Sequence, residues 1–274
     1  MTTTSTRTSA SPGSGAGETW TERLARFGLL GKGVVHAVVG LLALQIGLSG
    51  SSSENASTQG ALEWIADRPF GVPALWVVGL SLLALTVWRG ITTVTGDPVE
   101  DDDGWYRLVW AAKALVYGSL AATALVAATK GGSSEGSTDN EQASTATSTV
   151  FDLPMGRWLV VLGGLAVIGI AGYLILEHAV RSGFADRLDV SDDSAAITLG
   201  RVGYGLRSLA YILVGVLFVQ AGLAGEEQRA EGLSGALERA SAEAWGTALL
   251  VAVGVGFLAY GAYCFAEAKL RRSA

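Results

Sequence analysis

Six long apolar runs separated by short polar connections dominate the chain: approximately Gly28–Ser49, Pro73–Val94, Leu108–Thr129, Trp158–Leu176, Val202–Ala224 and Trp245–Ala266. Each is close to the roughly 20 residues with which an α-helix crosses a hydrocarbon core of about 30 Å. Helices buried in a soluble bundle carry polar residues on one face at helical spacing, and none of these runs does. The pattern predicts six transmembrane helices. Arg23 and Arg26 ahead of the first run look like the basic start of a signal peptide. That run is longer than the about 7–15 residues of a signal-peptide core, however, and its pattern returns twice later in the chain.

Composition narrows the class further. Charged residues are 16% of the chain and mean hydropathy is +0.40, against about 25% charged residues in average soluble domains, which argues against an ordinary soluble enzyme. A net charge of −6 lacks the clustered cations that phosphate backbones require, so nucleic acid is not an expected partner. The single Cys264 excludes an intrachain disulfide and a thiolate metal cage. Of the 19 Lys and Arg residues, only Arg68, Lys130, Arg157, Arg229 and Arg239 fall on the side opposite the two termini. The remaining fourteen predict that both termini face the cytoplasm. Trp76, Trp88, Trp105, Trp110, Trp158 and Trp245 fall near the ends of the runs, where an indole meets both acyl chain and headgroup. Residues 1–20, rich in Ser, Thr and Gly, are expected to form a disordered cytoplasmic tail.

Self-similarity is the strongest signal in the chain. The odd-numbered runs share one ruler: Arg26, Gly28, Lys32, His36, Gly40 and Gly50 match Arg107, Val109, Lys113, Tyr117, Ala121 and Gly131, and again Arg201, Gly203, Arg207, Tyr211, Gly215 and Gly225. The even-numbered runs repeat from Gly71, Gly156 and Gly246. A second glycine follows at Gly79, Gly164 and Gly254, an aromatic at Trp88, Tyr173 and Tyr263, and an acid at Glu177 and Glu267 where the first copy has Thr92. The outer connections echo too, in Gly60-Ala61-Leu62-Glu63 and Gly235-Ala236-Leu237-Glu238, whereas a Ser/Thr-rich loop takes the place of that short helix in the middle copy. Repeats are therefore placed at 21–98, 105–184 and 199–272. Each contains an even number of spans, so the copies insert with one orientation around an axis along the membrane normal. The expected fold is an all-α integral membrane protein, six transmembrane helices as three parallel helical-hairpin repeats in a pseudo-threefold bundle.

These residues resemble the prokaryotic membrane proteins grouped as domain of unknown function 1206, in which a pair of transmembrane helices occurs three times. The resemblance covers roughly Thr21 to Arg272; the middle copy departs most, with Val109 and Ala121 where its neighbours have glycine. It implies an architecture and carries no chemistry with it.

Candidate chemistry lies on the odd helices, where small residue, cation, His or Tyr, and small residue follow one another at i, i+4 steps and so form one slanting stripe. Lys32, Lys113 and Arg207 start about four residues, or about 6 Å, inside the cytoplasmic end of the apolar runs. A charge within the bilayer costs about 2.5–3.5 kcal/mol on insertion scales and invites a functional reading. The structural alternatives are snorkelling to the interface, or pairing of Lys113 with Glu177 and of Arg207 with Glu267. The functional alternative is a cytoplasm-facing ring of cations for a small anion or an anionic lipid headgroup, with Lys32 foremost because Thr92 leaves it without an acid. A histidine ordinarily titrates near neutrality, which would suit His36 to a proton relay, but tyrosines stand at the equivalent positions, Tyr117 and Tyr211, which points to aromatic packing instead. His178 beside Glu177 is expected at the interface. No cofactor or metal constellation is evident. Gly132-Ser133-Ser134-Glu135-Gly136 fits a nucleophile-elbow pattern without its strand-to-helix turn, and Asn55-Ala56-Ser57 is a glycosylation sequon. The expected role is a non-enzymatic scaffold or accessory protein of the cytoplasmic membrane, surrounded by lipid; the alternative is a transporter or channel for a small or anionic solute along the pseudo-threefold axis.

Overall fold

The computed structural model describes residues 20–49, 56–96, 104–131, 139–185, 188–189 and 194–271. The N-terminal tail, Asn55, the acidic run 100–103 and the segment 132–136 lie outside the described residues. Six long helices carry the apolar runs: α1 (Trp20–Ser49), α3 (Gly71–Thr95), α4 (Gly104–Thr129), α6 (Gly156–Leu174), α7 (Ala195–Ala224) and α9 (Gly246–Leu270). All six are long and apolar enough to cross a membrane. Three short helices, α2 (Thr58–Ala66), α5 (Asp139–Phe151) and α8 (Leu233–Ser241), follow α1, α4 and α7 and cap one end of the bundle. The other end carries most of the Lys and Arg residues and is called the basic end below.

The middle cap differs from expectation, because α5 is a helix and not a loop. Two of its hydroxyls bond within the helix, Ser148 and Thr149 both donating to the Thr145 carbonyl, which is how Ser and Thr tolerate helix interiors, while the buried Thr147 hydroxyl finds no partner among the described residues. At its start, Asp139 accepts from the backbone N–H and the hydroxyl of Ser234. Asn140 accepts from the N–H groups of Gly232 and Gly235. These oxygens fill orphan donors at the start of α8, as a capping residue would.

The repeat has a physical basis at two sites. At Gly71, Gly156 and Gly246 the long helix starts directly against the end of the short one, and a Cβ would overlap the carbonyls of Ala66, Val150 and Ala240 respectively. Only glycine fits there. The second glycine sets the contact between repeats. A Cβ at Gly79 would lie 2.8 Å from Leu125, at Gly164 2.8 Å from Val219 and at Gly254 2.7 Å from Leu44. Those three partners are themselves equivalent in the ruler. Each even helix thus packs on the odd helix of the next repeat, and the last repeat closes onto the first, with small residues permitting near approach as in other membrane bundles.

Within a repeat the three copies diverge. A Cβ at Gly28 would sit 2.7 Å from Leu85, and one at Gly203 2.7 Å from the Tyr260 backbone, so α1–α3 and α7–α9 are tight hairpins. The equivalent pair in the second repeat is Val109 and Ile170. There α4 and α6 are not among the packed pairs, and the helices run α4–α3–α1–α9–α7–α6 around an incomplete ring. The π-helical turn Ile175–Val180 at the end of α6 packs instead against α7.

Tryptophans divide between two environments. Trp76, Trp158 and Trp245 are exposed to the surroundings, as interface residues would be, while Trp88 and Trp110 are buried. Trp88 lies under two guanidinium groups, 4.1 Å from that of Arg89 and 4.6 Å from that of Arg271. Packing, not the headgroup layer, holds these two indoles.

Candidate functional site

The odd-helix stripe delivers two cations to the interior. Lys32 and Arg207 each lie twelve residues after the first residue of their helices, Trp20 and Ala195, which is about 18 Å at 1.5 Å per residue. The helices begin about two turns before the apolar runs do, so both cations lie well inside their helices while remaining about one turn within the apolar runs. Arg207 is 7% exposed, which rules out snorkelling for it.

Both cations converge on one ring. The Lys32 ammonium lies 5.0 Å from the centroid of Tyr260, and the Arg207 guanidinium lies 3.6 Å from it. Lys32 also stands 5.7 Å from Tyr117 on α4, and Arg207 4.9 Å from Tyr204 and 5.7 Å from Tyr211. His36 closes the cluster. Its ring is 4.9 Å from Tyr260, and its Nδ1 donates to the Lys32 carbonyl at 2.8 Å. The electron-rich faces of the tyrosines stabilise the cations by about 2 kcal/mol each where water is excluded.

The expected acid pairing does not occur. Glu267 pairs with Arg271 at 3.4 Å and Glu177 with Arg181 at 3.4 Å, each four residues along its own helix. A partner one turn away is always within reach, whereas Arg207 would have to approach from another helix that it meets through Tyr260. Lys113 could reach Glu177 only if α4 and α6 packed, and they do not; its side chain is exposed. The ring of three cations is therefore reduced to two at the centre and one at the edge. Among the described residues, neither Lys32 nor Arg207 has a carboxylate within ion-pair distance, and the buried Arg207 Nε has no hydrogen-bond partner. Glu267 acts on Lys32 only from a longer range.

Two residues of this cluster escape a reading of the stripe. Tyr260 is on an even helix, and its equivalents are Leu85 and Ile170, so no repeat signal marks it. His178, expected at the interface, is buried against protein, with its ring 4.4 Å from Tyr204 and 6.2 Å from Phe184. The π-helical turn carries it there. Phe184, Tyr204, Tyr260 and Tyr263 form one buried aromatic core at the basic end, with Cys264 among them. Among the described residues no group of three His, Cys, Asp or Glu side chains is placed to hold a metal ion.

Comparison with known proteins agrees with the repeat. The family model described as Domain of Unknown Function (DUF1206) matches three times, over residues 27–96, 108–181 and 202–271. The chain is also similar to the Bacillus subtilis (strain 168) protein named "Uncharacterized protein YxxB", 24% identical over 257 residues that cover 89% of each chain. No solved structure matches.

Proposed function

We propose that this chain, which belongs to the Domain of Unknown Function (DUF1206) family, is a non-enzymatic accessory protein of a prokaryotic cytoplasmic membrane whose bundle holds an anion between Lys32 and Arg207. In this reading both termini are cytoplasmic, following the excess of Lys and Arg at the basic end. One observation carries the proposal: two cations lie against one tyrosine ring, no carboxylate among the described residues contacts either, and one guanidinium nitrogen is left without an acceptor. Uncompensated charge in a low-dielectric interior is costly, and an anion bound there would lower that cost.

The test is thermal denaturation of the detergent-solubilised protein with inorganic phosphate and sulfate. Stabilisation that grows with anion concentration, and that is lost in Arg207→Gln and Lys32→Gln, supports the reading; a melting temperature indifferent to anions sinks it. The burial of Arg207 inside the bundle favours a second reading, in which the anion is carried across the bilayer. Uptake of labelled anion into vesicles holding the protein separates carriage from retention.

A further inference from the structure

The incomplete ring gives this site an opening toward the bilayer. We infer that the gap between α4 and α6 is a lateral slot that admits an anionic lipid, its headgroup turned toward Lys113 and Lys32 and an acyl chain lying against α6. The inference rests on the anion-site reading above and adds the ligand class and its route.

Three observations support it. First, the face of α4 that carries Val109 and Lys113 corresponds to the face on which Gly28 and Gly203 meet the even helices of their own repeats, and here α6 does not pack on it. Lys113 is exposed on that face, and Tyr117, one turn further, touches Lys32. Second, the equivalent positions of α6 are exposed. Ile170 is 60% exposed where Leu85 and Tyr260 are 1% and 2%, and Tyr173 is 50% exposed where Trp88 and Tyr263 are 5% and 0%. A Cβ added at Gly163, Gly169 or Gly172 would meet nothing within 4 Å. Third, two features hold the slot open. Val109 puts an isopropyl group where the other repeats need glycine for contact, and the π-helical turn draws the end of α6 onto α7.

The slot is apolar along α6 and cationic at its inner edge, which matches an amphiphile and not a free ion. A lipid is also the one anionic ligand that the bilayer supplies in quantity to a laterally facing opening. Lys113 and Tyr117 stand one turn apart on α4, and from Tyr117 the ring contacts lead through Lys32 and Tyr260 to the buried Arg207.

Native mass spectrometry of the full chain, released from nanodiscs of mixed phosphatidylglycerol and phosphatidylcholine, tests this. The expected result is retention of phosphatidylglycerol over phosphatidylcholine by about thirtyfold, as roughly two engaged cations would give. Ile170→Trp, a substitution at an exposed position that fills the slot, should abolish the preference while leaving stabilisation by inorganic phosphate intact. Lys32→Gln should weaken both. If Ile170→Trp retains phosphatidylglycerol as well as the parent protein, the slot is not the route and the inference falls, although the anion site survives. Equal retention of the two lipids by the parent protein, with phosphate still stabilising, also overturns it, in favour of a soluble anion. No response to phosphate and no lipid preference removes both proposals together.

Discussion

The first and second repeats share a ruler but not a structure. In the first, Gly28 lets α1 lie against Leu85, and the α1–α3 hairpin is buried on its inner face. In the second, Val109 stands at the same place and Ile170 faces outward. A difference of three carbons at one helical position, together with the π-helical turn that packs on α7, accompanies the change from a closed hairpin to an open one. In lipid there is little hydrophobic penalty for leaving such a face uncovered, so closeness of fit weighs heavily in whether two helices associate. The third repeat supports this reading, since Gly203 again lies against the α9 backbone.

The contrast can be broken most directly at Gly28. Replacing it with Val imports the second repeat's residue into the first, where the new methyl groups would overlap Leu85. Overpacking of this kind costs about 3 kcal/mol, to be read as a fall in the denaturation midpoint in detergent, and an unchanged midpoint would show that the fit at Gly28 is not limiting. A smaller difference is expected between the two equivalent ion pairs. Glu267–Arg271 is buried, with side chains 6% and 7% exposed, while Arg181 of the Glu177–Arg181 pair is 76% exposed. Glu267→Gln should therefore cost about 2 kcal/mol, and Glu177→Gln under about 0.5 kcal/mol; equal losses would mean that burial does not distinguish the repeats.

A still milder change sharpens the comparison from the other side. Val109→Gly should allow α6 to approach α4. Cysteines placed at Ala112 and Ala166, the equivalents of the touching pair Gly31 and Ser81, are expected to cross-link in that variant and not in its parent. Cys264 is buried and stays silent. The smallest effect belongs to the capped end. Burial, and then Asp67 and Asp139, raise the Glu63 carboxyl above its ordinary value, so the folded state favours its protonated form. The associated stability is present at pH below the ordinary carboxylate value and is lost as pH rises through the raised one. Glu63→Gln should flatten that slope without moving the acid-side midpoint.

Much of this protein was readable along the chain, and for a local reason. Whether a segment can cross hydrocarbon depends on its own side chains, and the ruler of glycines survives because each repeat meets its neighbour through the same close contacts. The glycines at the starts of α3, α6 and α9 are a clear instance, each fixed by a carbonyl only a few residues back. The α5 helix was less legible, because its capping oxygens serve a partner more than ninety residues away.

The site itself was only half written in the sequence. The stripe named Lys32, His36, Tyr117, Arg207 and Tyr211, since i, i+4 spacing fixes which side chains share a helix face. It did not supply their partners. Glu267 was the nearest acid on paper, yet it turned to Arg271, while Tyr260, unmarked by any repeat, came to lie between the two cations. Partner choice depends on how each helix is rotated and how near its neighbours come, and those quantities are set by contacts between residues far apart in the chain. The apolar segments, their number and their threefold kinship were determined by sequence alone; which charges lie inside, and where the ring stays open, was decided by packing between helices.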